Sequence, residues 1–90
     1  MILDNIHNHY EYLVYEELLR QQAQRESALP DNMMEDAACV ALNNLPARYV
    51  RHSVDIAFYL TQDEREAMDK QIRNAVSEAI LFVSKNPHKD

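Results

Sequence analysis

The sequence predicts an all-α fold: a small bundle of about four helices with a long C-terminal helix, in a single domain over residues 1–90. Three observations predict it. Glycine is absent, which removes the Asn-Gly and Asp-Gly hairpins on which small β domains rely. Alanine occurs ten times against three prolines, a balance that favours helix. Apolar residues recur three and four positions apart in three separate stretches. An apolar fraction of 47% is ordinary for a globular chain and argues against disorder.

The first helix is expected from Asn5 to Arg25. Asp4 stands where a cap belongs, and Ile6, Tyr10, Leu13, Val14 and Leu18 form one buried stripe. Glu16 precedes Arg20 by four residues, the favoured order for a pair on a helix surface. The polar run Gln21–Ser27 reads as a fraying end and linker. Pro30 breaks the chain. Asn32 and Glu35 then resemble a capping box, with Asp31 an alternative cap, for a short helix reaching about Asn44. Met33, Ala37, Val40 and Ala41 fall on one face of it. Asn43-Asn44 offers the left-handed terminal residue that glycine usually supplies. Ala47–Arg51 can be one helical turn after Pro46. Val54–Leu60 is rich in β-branched and aromatic residues and can be a buried extended piece or part of a helix.

The last helix has marked ends. Thr61-Gln62-Asp63-Glu64 is a capping box, and the helix should run to about Lys85, short of Pro87. Glu66–Lys70 and Asp69–Arg73 are four apart in the favourable order. Met68, Ile72, Ala75, Val76, Ala79, Ile80 and Val83 make a broad apolar band. Surface scaling for 10.5 kDa gives roughly 5,400 Å² folded against roughly 15,000 Å² extended, so about two thirds of the surface can be hidden. Two or three short helices leave part of the band uncovered on this reading, and a second copy of the chain is expected to cover it.

The composition excludes several functions. Without glycine there is neither a dinucleotide-binding fingerprint nor a P-loop. One cysteine allows no intrachain disulfide and no four-cysteine zinc site. Cys39, set among alanines, reads as a buried structural thiol. His7 and His9 lie two apart, and on a helix such residues do not share a face; His52 and His88 have no partner at ligand spacing. No metal site, no catalytic residue and no cofactor is expected. No secretory leader and no run long and apolar enough for a membrane span is visible, so the expectation is a reduced, cytoplasmic protein. A net charge of -6 opposes binding to duplex nucleic acid.

One window stands out. Residues 37–54 contain no acid, although fifteen of the ninety residues are acidic. The window holds Arg48, Arg51 and His52, with Asn43, Asn44 and Tyr49. Arginine presents a planar fork of donors to phosphate or guanine, tyrosine a stacking face, and asparagine an adaptable donor and acceptor. These groups suit a nucleotide. The plainer alternative is that both arginines pair with acids of the first helix and Tyr49 sits in the core.

Asp36-Ala37-Ala38-Cys39-Val40-Ala41-Leu42-Asn43-Asn44-Leu45-Pro46-Ala47-Arg48-Tyr49-Val50 resembles the core of the late competence development protein ComFB family: an Asp, a small apolar run, Ala-Leu-Asn, Leu-Pro and Tyr-Val. The Glu-Glu-Leu of the first helix, the Gln71–Ile80 stretch and Asn86-Pro87 are similar too. The resemblance implies a small helical homodimer that receives cyclic dinucleotides, cyclic di-GMP above all. Some members bind zinc through cysteines ahead of the core. Here Pro30–Glu35 holds none, so no zinc site carries over.

The expectation is therefore a non-enzymatic signalling homodimer that binds cyclic di-GMP and acts through contact with a downstream protein. Arg48 and Arg51 would meet the phosphates, with Lys70 or Arg73 of the last helix as further candidates. Tyr49 would stack on a base, and Asn43 or Asn44 would read a base edge. A ligand-free dimeric interaction module and a competence-related regulator are the alternatives.

Overall fold

The computed structural model describes residues 1–87; His88, named above among the histidines, lies outside them. A 3₁₀ turn, Ile2–Asn5, leads into strand β1, His7–Asn8. Helices α1, Tyr10–Gln22, and α2, Asp31–Asn43, follow. Strand β2, Tyr49–Val50, then precedes α3, Ser53–Tyr59, and α4, Gln62–Lys85. Among the described residues no helix is long and apolar enough to cross a membrane.

The core is α4 laid against α1 and α2. Its whole apolar band is buried, packed on Tyr10, Val14 and Leu18 of α1 and on Ala37 and Ala41 of α2, with Leu29 and Leu45 closing the ends. Alanines at 37, 41, 75 and 79 let the backbones approach closely, because interaxial distance follows side-chain size at the contact. No second copy is needed to cover this band, contrary to expectation: the short helices of one chain suffice.

Where local chemistry marks a boundary, expectation and structure agree. Thr61 caps α4, its hydroxyl accepting from the Glu64 N–H at 3.1 Å while the Glu64 carboxylate accepts from the Thr61 N–H at 3.3 Å. The helix ends at Lys85, ahead of Pro87. Helix α2 also falls in its expected place, but its start is organised by Pro30, whose carbonyl accepts from the Met33 and Met34 N–H groups, both at 3.0 Å. The fixed φ of Pro30 pre-sets this turn.

Elsewhere the structure differs. Helix α1 begins at Tyr10, not Asn5: Ile2–Asn5 is a 3₁₀ turn, and His7–Asn8 are extended and paired with β2. Ile6 is exposed, and Asp4 binds the N-terminal ammonium at 2.8 Å in place of capping a helix. Arg20 pairs with Glu17, through Nε at 2.9 Å, and not with Glu16. Asn44 ends α2 with φ −100° and ψ 3°, and no described residue has positive φ, so the left-handed terminus is not used. Ala47–Arg51 is no helical turn; it contains a strand, while Val54–Tyr59 is helix. Cys39 is exposed. Ala37 and Ala41 take the buried stripe, and two residues on from Ala37 lies about 200° around the helix.

Candidate functional site

The acid-free window begins on α2 and passes through β2, which pairs with β1 in a ribbon of two-residue strands. The strands run antiparallel, His7 opposite Val50 and Asn8 opposite Tyr49. So short a ladder depends on extra bonds. Asn8 is buried, and its carboxamide oxygen accepts from the N–H of Tyr10 at 3.2 Å and from the N–H of Arg48 at 3.1 Å. The His9 N–H donates to the Arg48 carbonyl at 2.7 Å. One side chain thus ties the start of α1 to the approach to β2.

Two histidine contacts flank this tie. His7 Nε2 lies 2.9 Å from the Ser53 hydroxyl at the start of α3. The His9 ring meets Tyr10 edge-on, centroids 6.2 Å apart. Its Nδ1 is buried without a partner among the described residues. Burial, then the charge of Arg48, then that of His7, hold the His9 imidazole below its usual range.

Arg48, Tyr49 and Arg51 are brought together on this ribbon, all exposed; Tyr49 is 66% accessible. Among the described residues neither guanidinium has an ion-pair partner, and Tyr49 is not core, so the plainer alternative does not hold. The extended backbone changes their geometry, however. Arg48 and Arg51 flank the two-residue strand Tyr49–Val50, so they do not share one helix face. Arg51 lines a cavity of about 320 Å³ with Ile2, Leu3, Asn5 and Ile6, whose described lining contains no acid.

The remaining candidates lie elsewhere. Asn43 and Asn44, exposed at the end of α2, line a cavity of about 410 Å³ with Val40, Phe82 and the carboxylate of Glu78. Lys70 is exposed on α4. Arg73 lies in a groove of about 650 Å³ between α1 and α4 beside Glu16, Glu17, Asp69 and Arg20. Its carbonyl accepts from Gln21 at 3.1 Å. Gln21 stands about 16 Å along α1 from Tyr10, so Arg73 is remote from the ribbon.

Asn8, His9 and the Ile2–Ile6 wall are absent from the sequence-based candidates. The signal that could have found them is the polar Asn at position 8 immediately before the buried stripe that starts at Tyr10. His7 lies in strand β1 and His9 just beyond it, not on a helix, yet among the described residues no three potential metal ligands gather.

Compared with known families, the chain matches the model for late competence development protein ComFB over residues 7–87. No curated protein and no solved structure matches it.

Proposed function

The chain belongs to the ComFB family of late competence development proteins, and from that premise we propose that it is a non-enzymatic cytoplasmic receptor for a cyclic dinucleotide, cyclic di-GMP first, that acts as a homodimer through contact with another protein. The observation that carries this reading is the ribbon itself: two arginines without an ion-pair partner among the described residues and an exposed tyrosine, next to an apolar cavity with no acid in its described lining. Four other cavities have acids in their linings, Glu16, Glu17 and Asp69 in one, Glu11, Asp31 and Glu35 in another and Glu78 in two more, and these repel phosphate.

In this reading Arg51 meets a phosphate at the cavity mouth while a base rests on Ile2, Leu3 and Ile6. Arg48 takes the second phosphate and Tyr49 stacks on the second base. His7 and His9 add donors. Two ribbons in a homodimer would present these groups twice to a two-fold symmetric ligand. Asn43, Asn44, Lys70 and Arg73 contribute only if a second copy brings them to the ribbon of the first. The competence-related role tied to the family then follows from a second-messenger input, not from DNA binding, which the net charge of -6 opposes.

Calorimetric titration with cyclic di-GMP, cyclic di-AMP and GTP at physiological salt tests the reading. A charge-assisted contact is worth about 1.5–3 kcal/mol, so Arg48→Ala and Arg51→Ala should each weaken binding roughly ten- to a hundred-fold with unchanged circular dichroism. No heat with wild-type protein at tens of micromolar overturns it. The ligand-free interaction module then takes its place, favoured by Phe58 and Tyr59, which are 83% and 82% exposed on α3.

A further inference from the structure

Helices α1 and α2 form a second open groove, of about 440 Å³, lined by these two helices without any residue of α4. Its apolar part is Tyr15, Leu18, Leu19 and Met34. Its rim carries Glu11, Asp31 and Glu35, and its lining holds no lysine or arginine among the described residues. Tyr15 and Leu19 are 55% and 44% exposed. An apolar trough between two helices receives the ridge of a third, and a methionine adapts its shape to what enters.

We propose that this groove docks a basic amphipathic helix of a partner protein. Charge selects the occupant. Three carboxylates without a cation attract lysine and arginine flanking an apolar stripe, and the chain's net charge of -6 adds to that field. The same charges repel nucleic acid and anionic lipid. A second copy fits poorly, because its most exposed apolar helix, α3, carries Asp55 and no base.

The chain supplies its own reporter. Cys39 is the one cysteine, is exposed, and lies one turn beyond Glu35 on α2. An environment-sensitive fluorophore on Cys39 is titrated with a short helical peptide that has leucines at helical spacing on one face and lysines on the other. An otherwise identical peptide with glutamates for lysines is the control. The lysine peptide should shift the emission and the glutamate peptide should not. Asp31→Lys with Glu35→Lys exchanges two attractions for two repulsions and should weaken binding about ten-fold. Asp63→Lys with Glu66→Lys, a matched reversal at the start of α4, should change it less than about two-fold. Leu19→Ala, which leaves the charge intact, should weaken it about five-fold and decides the matter if the double reversal fails to fold.

Equal losses from both reversals, binding of the glutamate peptide, or no binding at all overturn the proposal. So does an emission shift that rises with protein concentration alone, which would make a second copy the occupant. The inference rests on the reading of the chain as a protein that signals by contact. Because the titration contains no cyclic di-GMP, its failure and the failure of the ligand titration remain separate results.

Discussion

At Asn8 one carboxamide oxygen accepts from two backbone N–H groups whose residues, Tyr10 and Arg48, come from opposite ends of the helical hairpin. Asn8→Ala leaves both donors without that acceptor in a largely buried place, and each such loss costs about 1–3 kcal/mol. Partial access of water at Arg48 offsets some of it, so a net fall of about 2 kcal/mol is expected in urea denaturation. An unchanged midpoint would show that the ribbon does not need this tie. His9 gives a pH signature. Its folded pKa lies below the usual 6.5, through burial first and the charges of Arg48 and His7 after it. The unfolded chain therefore takes up this proton at a higher pH than the folded one. The stability contributed by the neutral ring is complete above pH 6.5 and is lost as pH falls through the lower folded value. His9→Phe should flatten the thermal midpoint between pH 6.5 and 5 relative to wild type; parallel curves would rule His9 out as the source.

Helix α4 is legible residue by residue, from Thr61 to Lys85, because both ends are written in local chemistry and the band between them has helical spacing. Two variants test what holds it. Thr61→Ala removes the acceptor for the Glu64 N–H and should cost about 1 kcal/mol. Val76→Ala empties a fully buried position in the seam and should cost about 2 kcal/mol, read by chemical denaturation. Equal costs would mean that the seam repacks around the smaller side chain. The ribbon is illegible for the opposite reason. A strand of two residues has no periodicity to detect, and His7 is extended only because Val50, far along the chain, pairs with it. The same limit divides the candidate site. Arg48, Tyr49 and Arg51 are legible as a gap in the acids, since they are adjacent in sequence. Asn8, His9 and the Ile2–Ile6 wall reach them only through tertiary pairing. Cys39 is misread because neighbouring alanines imply burial, whereas helical phase gives the core to Ala37 and Ala41.

The whole molecule is flat, 38 × 36 × 19 Å, with a radius of gyration of 14.2 Å where a compact chain of this length has about 12 Å. Its accessible surface is 6740 Å², above the roughly 5,400 Å² of a compact monomer of this mass. Little more than half of the extended chain's surface is hidden, not the two thirds expected. Exposed apolar side chains, Ile2, Leu3, Val54, Phe58 and Tyr59, account for part of the excess. They give the proposed homodimer a surface away from α4. Sedimentation at micromolar concentration should report about twice 10.5 kDa, and Phe58→Ser with Tyr59→Ser should halve that mass with helicity intact. A wild-type monomer would remove the homodimer. Ile80→Glu does not test the dimer, because Ile80 is buried within one chain and its charge would unfold monomer and dimer alike. The tie at Asn8 also has a temporal side. It joins residues 40 apart, so closing that loop costs about 3 kcal/mol of chain entropy, and a ladder this short returns little of it. The helical contacts are more local and should form first, leaving the clasp as the final step of folding and the first to open. Deuterium should therefore enter the amides of His9 and Arg48 long before that of Val76, at a rate set by the clasp's own opening. A ligand gripping the ribbon must hold that clasp shut, so slowing of those two exchange clocks would register occupancy even where binding releases no measurable heat.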